Sequence, residues 1–210
     1  MRKFTIFILL LSNFFVFHSI TNAQTADVEL LKRINNTAPG LRPLSIFITE
    51  SAIPISLAIP IGMGGYSLIS SDKDLFKDAF YIAFASGVNL GMTMILKNTI
   101  RRERPVTTFP DEFSYVHEPR YDFAMPSGHT SSAFATATAL SLKYPEWYVI
   151  VPAYVWASSV GLSRMHLGLH YPTDVLAGAA LGAGSAYITY KINEWIWNKY
   201  DIKGFKIIRK

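Results

Sequence analysis

Hydrophobic segmentation constrains this chain more than any other feature. Between residues 53 and 197, five apolar runs (53–70, 79–96, 130–142, 147–161 and 175–197) carry few charges. A helix rises about 1.5 Å per residue and a hydrocarbon core is about 30 Å thick, so several of these runs are only just long enough to span. Half of the residues are apolar and 17% are charged, against about 25% charged in an ordinary soluble domain. The expected fold is all-α: a polytopic membrane helical bundle of about five spanning helices, whose short runs need snorkelling ends such as Lys143 and Trp147.

Residues 1–23 combine Arg2 and Lys3, an apolar stretch at 4–17 and the small-residue end Thr21-Asn22-Ala23. That is the layout of a signal peptide cleaved after Ala23. The alternative, a retained first helix, is disfavoured because the polar stretch at 18–22 leaves the apolar run short. Residues 24–50 read as an interfacial segment of short helices, with Val28, Leu30, Leu31 and Ile34 near one face. Residues 51–198 form the membrane domain, and 199–210 a basic cytoplasmic tail carrying Lys203, Lys206, Arg209 and Lys210. With Arg2 and Lys3 inside, the crossing count places 71–77 and Lys143 inside, and the long loop 98–128 and the stretch 163–174 outside. The net charge of +5 comes without aromatic-basic interleaving, so a nucleic-acid partner is not expected. The chain has no cysteine, hence no thiolate metal site. Gly178 and Gly182 form a GxxxG pair, read first as packing within the bundle and second as a homodimer contact.

Three strings carry the chemistry, and the crossing count gathers them on the outer face. Lys97 and Arg104 are seven residues apart, nearly two turns, and share one face if helical geometry persists until Pro105. A lysine point charge and an arginine fork suit a group with two or more negative charges. In Pro126-Ser127-Gly128-His129, Ser127 sits where an N-cap belongs, and the free N–H groups of a helix start bind anions. His129 can donate a proton to a departing oxygen. His170 and Asp174 are four apart around Pro172, so the carboxylate can accept the Nδ1 proton and leave Nε2 as a nucleophilic lone pair. His166 has no carboxylate at that spacing and reads as a packing or substrate-proximal residue, and His117 as a solvated loop side chain. Substrate selection is expected from residues 106–125.

These strings, Lys97-x6-Arg104-Pro105, Pro126-Ser127-Gly128-His129 and Ser163-Arg164-x5-His170-x3-Asp174, resemble the three-part signature of the type 2 phosphatidic acid phosphatase family, the superfamily shared with vanadium haloperoxidases. The resemblance covers about residues 53–198. It implies a hydrolase that needs neither metal nor cofactor. Lys97, Arg104 and Arg164 would hold the phosphoryl oxygens, with hydrogen bonds from Ser127 and Gly128. His170 would attack phosphorus, His129 would protonate the leaving group, and Asp174 would orient His170. The expected activity is hydrolysis of a lipid phosphate or pyrophosphate at the periplasmic face of a bacterial inner membrane. The alternatives are a periplasmic acid phosphatase acting on small soluble esters and a non-catalytic lipid-binding or transport protein.

Overall fold

The computed structural model describes residues 25–113 and 123–199, with side chains described as far as residue 195. The leader at 1–23, tail residues 200–210 and the loop portion 114–122, with His117, lie outside the described residues. Helix α1 spans 25–36. A 3-10 turn, Pro39–Leu41, leads into α2, Arg42–Glu50, followed by α3, Ala52–Ser70, and α4, Lys73–Ile100. A single turn, α5, Pro105–Thr108, precedes α6, Gly128–Lys143, α7, Trp147–His166, and α8, Pro172–Lys199. Among the described residues there is no strand.

The bundle is built around α6, which packs against α3, α4, α7 and α8. Its sequence alternates alanine with serine and threonine, and Thr130, Ser131, Ala133, Thr136 and Ala137 are all buried. A helix enclosed by protein needs small side chains and satisfied hydroxyls rather than long apolar ones. This accounts for the weak hydropathy of the 130–142 run. By length and composition alone, two helical stretches among the described residues qualify as spans, Pro39–Ser70 and Lys73–Thr108. The outside of the bundle is apolar, with Ile61, Phe80, Phe84, Ile95, Val155 and Ile188 exposed. The inside is polar: Thr93 and Asn89 meet the Ser131 hydroxyl at 3.0 and 3.3 Å, and Thr136 donates to Ser56 at 2.9 Å. Buried polar groups that pair internally beneath an apolar exterior suit a hydrocarbon solvent.

Glycines set the closest approach. A Cβ on Gly178 would stand 2.6 Å from the Ser127 carbonyl, and one on Gly182 would collide with the Ser131 carbonyl and the Ala135 nitrogen. The GxxxG face is therefore occupied by α6 of the same chain. Helix α4 begins six residues before its apolar run because Asp72 caps it, accepting from the Asp74 and Leu75 N–H groups, each at 3.0 Å. Lys143 does not simply snorkel: its ammonium pairs with Asp78 at 2.7 Å and sits beside the Tyr81 ring.

Helix α1 docks onto the end of the bundle where α4 and α7 finish and α6 and α8 begin. Leu31 is fully buried among Phe113, Met165, Tyr171 and Val175, flanked by Val28 and Ile34. Leu30, expected on the same face, is exposed instead. At 100° per residue it falls beside Leu31 rather than above it. Lys32 reaches Glu112 at 2.6 Å.

Candidate active site

The docked end contains a cavity of about 580 Å³ whose polar lining includes Lys97, Arg104, Gly128, His129 and His170. Lys97 lies in the last turn of α4, which ends at Ile100 because Arg101 adopts a left-handed conformation, φ 52°. The expected helical continuity from Lys97 to Arg104 is thus broken. Pro105 excludes the helical region for its predecessor, and Arg104 is extended at φ −77°, ψ 154°. The chain still returns both cations to one cavity, since the Arg102 carbonyl accepts from the Ala124 N–H at 2.7 Å and the Lys97 ammonium donates to the Phe123 carbonyl.

Ser127 occupies the N-cap position of α6, yet its hydroxyl pairs with Thr130 Oγ1 at 2.9 Å rather than capping a backbone N–H. Its own N–H donates to the Asp174 carbonyl at 3.0 Å, tying the start of α6 to the start of α8. Ser127 is fully buried behind the cavity wall. Gly128 lines the cavity beside His129, where an added Cβ would stand 3.9 Å from the Lys97 Cε.

His170 arrives through a helix ending that only glycine completes readily. Gly168 is left-handed at φ 68°, the Gly168 N–H donates to the Met165 carbonyl at 2.9 Å, and the Leu169 N–H donates to the Arg164 carbonyl at 3.0 Å. Pro172 then opens α8 two residues after His170. The His170 Nε2 atom faces Arg104 Nη1 at 3.1 Å. A guanidinium can only donate, so Nε2 carries the lone pair and the proton resides on Nδ1. Nδ1 points to Asp174 Oδ2 at 3.6 Å, a separation longer than a hydrogen bond. Burial, reinforced by the charges of Arg104, Arg164 and Lys97 and by His129, holds the His170 pKa well below its ordinary value of 6.5. The imidazole is neutral at pH 7, as a nitrogen nucleophile must be.

Arg164 and Asp174 stand behind the cavity rather than in its lining. Both are buried. Arg164 donates to Thr49 Oγ1 of α2 at 3.1 Å. Asp174 is held on both oxygens: Oδ1 takes Arg102 Nη1 at 2.7 Å and Oδ2 takes the Tyr171 N–H at 2.9 Å. His166 lies outside the cavity and fastens the N-terminal segment, with its Nδ1 at 2.7 Å from Ser45 Oγ and Nε2 at 2.8 Å from the Thr37 carbonyl. Arg102 and Thr49 were not singled out by the sequence reading. Arg102 lies inside the x6 portion of the first string, where nothing distinguishes it from Arg101, and a lone threonine carries no signal.

A family model of the PAP2 superfamily matches residues 78–198, more than half of the chain. The chain belongs to the PAP2 superfamily. Among PAP2 relatives, a phosphatidylglycerophosphatase B of Bacillus subtilis is 32% identical over 176 residues, covering 77% of this chain and 81% of that protein. An undecaprenyl-diphosphatase of Sulfolobus acidocaldarius is 29% identical over 173 residues, covering 79% and 78%. A lipid A 1-phosphatase of Porphyromonas gingivalis is 29% identical over 186 residues, which are 86% of this chain but only 38% of that protein. The chain therefore spans well under half the length of this last relative. The crystal structure of a transmembrane PAP2-type phosphatidylglycerolphosphate phosphatase from Bacillus subtilis superposes with a TM-score of 0.67 at 27% identity, covering 83% of this chain and 88% of that one. This chain is accordingly an integral membrane protein of the PAP2 fold.

Proposed function

We propose that this PAP2 protein hydrolyses the phosphate or pyrophosphate ester of a membrane lipid through a phosphohistidine at His170. The observation that carries the reading is the His170 Nε2 lone pair held 3.1 Å from Arg104 Nη1 in a cation-lined cavity. A phosphoryl group entering there accepts from Arg104 and Lys97 while its phosphorus meets Nε2. The P–Nε2 bond forms as the bond from phosphorus to the leaving oxygen breaks, and His129 supplies the proton that oxygen needs. Water, deprotonated by His129, then attacks phosphorus, and the P–Nε2 bond breaks to release inorganic phosphate. Arg164 adds positive potential from behind the wall. Asp174 stabilises the Nδ1–H tautomer and the positive charge on the phosphorylated ring.

A lipid substrate is supported by the cavity's apolar rim. Ile53 of α3 and Leu90 and Met94 of α4 line it and are exposed on the lipid-facing side of the bundle. A small soluble ester has no use for such a rim. The relatives named above act on lipid phosphates by their names, which supports the same class. Phosphate release by the purified protein in detergent, measured with EDTA present on phosphatidic acid, phosphatidylglycerophosphate, undecaprenyl diphosphate and p-nitrophenyl phosphate, tests the reading. We expect release from at least one lipid, inhibition by vanadate and far lower kcat/KM on the soluble ester. Preference for the soluble ester, or dependence on added metal, would contradict it.

The site faces the periplasm in this reading, because Lys73 and Lys77 at the start of α4 and Lys143 at the end of α6 lie at the opposite end of the bundle. In the cysteine-free chain, Asp111→Cys in whole cells should react with an impermeant thiol reagent and Lys73→Cys should not. The reverse pattern would place the site on the cytoplasmic side.

A further inference from the structure

Asp27, on α1, belongs to neither the sequence strings nor the 78–198 stretch matched by the PAP2 family model. It is nonetheless built into the site. Asp27 Oδ2 pairs with Arg102 Nη2 at 2.7 Å while Arg102 Nη1 pairs with Asp174 Oδ1 at 2.7 Å, so one guanidinium bridges two carboxylates. Asp27 Oδ1 accepts the Thr173 N–H at 3.0 Å, and Oδ2 accepts the Thr173 hydroxyl at 2.5 Å. The guanidinium lies 3.9 Å over the Tyr171 ring, whose own N–H donates to Asp174 Oδ2. Asp27 and Asp174 are 6% and 0% exposed.

Charge explains why a second carboxylate matters. Arg102 alone would cancel the negative charge that Asp174 presents to His170, and at such burial the loss is weakly screened. Asp27 offsets Arg102, leaving the trio at net −1 with Asp174 as the member nearest the imidazole. Asp27 also fixes the first turn of α8, through Thr173, next to Asp174. Neither Asp27 nor Arg102 lines the catalytic cavity. We infer that Asp27 is a positioning residue for phosphoryl transfer, acting through Arg102 and Thr173 to orient Asp174 and to offset the Arg102 charge beside it. The inference rests on the proposed phosphohistidine chemistry.

The test uses the full chain in detergent, with the best lipid among phosphatidic acid, phosphatidylglycerophosphate and undecaprenyl diphosphate. Asp27→Asn, close to isosteric, should lower kcat about tenfold with KM changed less than about twofold, and Asp27→Glu should recover part of the loss. In an Arg102→Ala background the same Asp27→Asn change should cost clearly less than in the wild type, because only the route through Thr173 remains. Wild-type kcat in Asp27→Asn, a rise in KM alone, or a full tenfold loss in both backgrounds would overturn the inference. So would a loss matched by the fraction of unfolded protein in thermal melts, with normal kcat per folded molecule. If His170→Ala abolishes release while Asp27→Asn changes nothing, only this inference fails. If the wild type releases phosphate from none of the three lipids, the proposed function fails first and takes the inference with it.

Discussion

The two sides of the His170 ring are built on opposite principles. In front of Nε2 the cavity is open and cationic, with Lys97, Arg104 and His129 delivered by α4, the segment after it and α6. Behind Nδ1 the structure is closed and its charges are paired, with Asp174 gripped by Arg102 and the Tyr171 N–H. In the proposed mechanism the front receives a phosphoryl group, so its donors line the cavity even though Lys97 also reaches the Phe123 carbonyl and Arg104 the Leu169 carbonyl. In the proposed mechanism the back stays clear of substrate, and Asp174 there is held on both oxygens within the protein while Nδ1 faces it at 3.6 Å. The contrast teaches that catalytic strength should reside in front and tuning behind.

The sharpest way to break that contrast is removal of the residue shared by both sides. His170→Ala should lower phosphate release from the best lipid by about 10³-fold or more while the protein stays folded, since no neighbour can replace the nitrogen. Near-normal turnover would dissolve the distinction altogether. On the front, Arg104→Lys keeps the charge but loses the fork that faces both His170 and the Leu169 carbonyl. We expect a fall in kcat/KM of about 10²- to 10³-fold, measured by initial rates. On the back, Asp174→Asn should act mainly on kcat, by about 10²-fold, because the carboxylate touches only the ring and its support. A larger KM effect than kcat effect would move Asp174 to the front.

The pH profile separates the sides without mutation. Burial, reinforced by Arg104, Arg164 and Lys97, depresses the His170 pKa, so the ring stays neutral as pH falls through 6.5 and kcat/KM should hold there, with its acidic limb at lower pH. An acidic limb at or above 6.5 would show the imidazole to be unperturbed. The linkage has a definite sign. Below about pH 6.5 the unfolded chain takes up a proton on this histidine that the folded chain does not, so the folded state loses stability as pH falls through that range. The smallest expected effect tests the seam joining the sides, where α6 carries His129 and α8 carries Asp174. Gly182→Ala forces a methyl group against the α6 backbone and should cost about 1–3 kcal/mol of stability, read by denaturant or thermal unfolding in detergent. An unshifted transition would mean that the helices separate freely there.

Much of the front was legible because its residues lie within short strings whose internal spacing survives in any fold that brings the strings together. The helices were legible from hydropathy except at their ends: α4 starts at Lys73, where charges Lys73, Asp74, Lys77 and Asp78 mask a capped helix start. The continuity from Lys97 to Arg104 was misjudged because a left-handed Arg101 has no signature in a residue that is not glycine. The Ser127 cap position was legible but not its partner, since Thr130 outcompetes the backbone N–H groups for the hydroxyl. The back of the ring was hidden for a different reason. Asp27 and Arg102 are 75 residues apart, and a single carboxylate on a short amphipathic helix carries no spacing to read. The docking of α1 through Leu31 brings it to Asp174.

The most direct measurement of the central claim is the trapping of the covalent intermediate. Wild-type protein mixed with lipid carrying a labelled phosphate, quenched within milliseconds in alkali and digested, should yield an alkali-stable, acid-labile phosphoryl group on the peptide containing His170. The His170→Ala protein should yield none. Label on another residue that persists in His170→Ala, or phosphate release at normal rates with no labelled peptide at any quench time, would contradict the account.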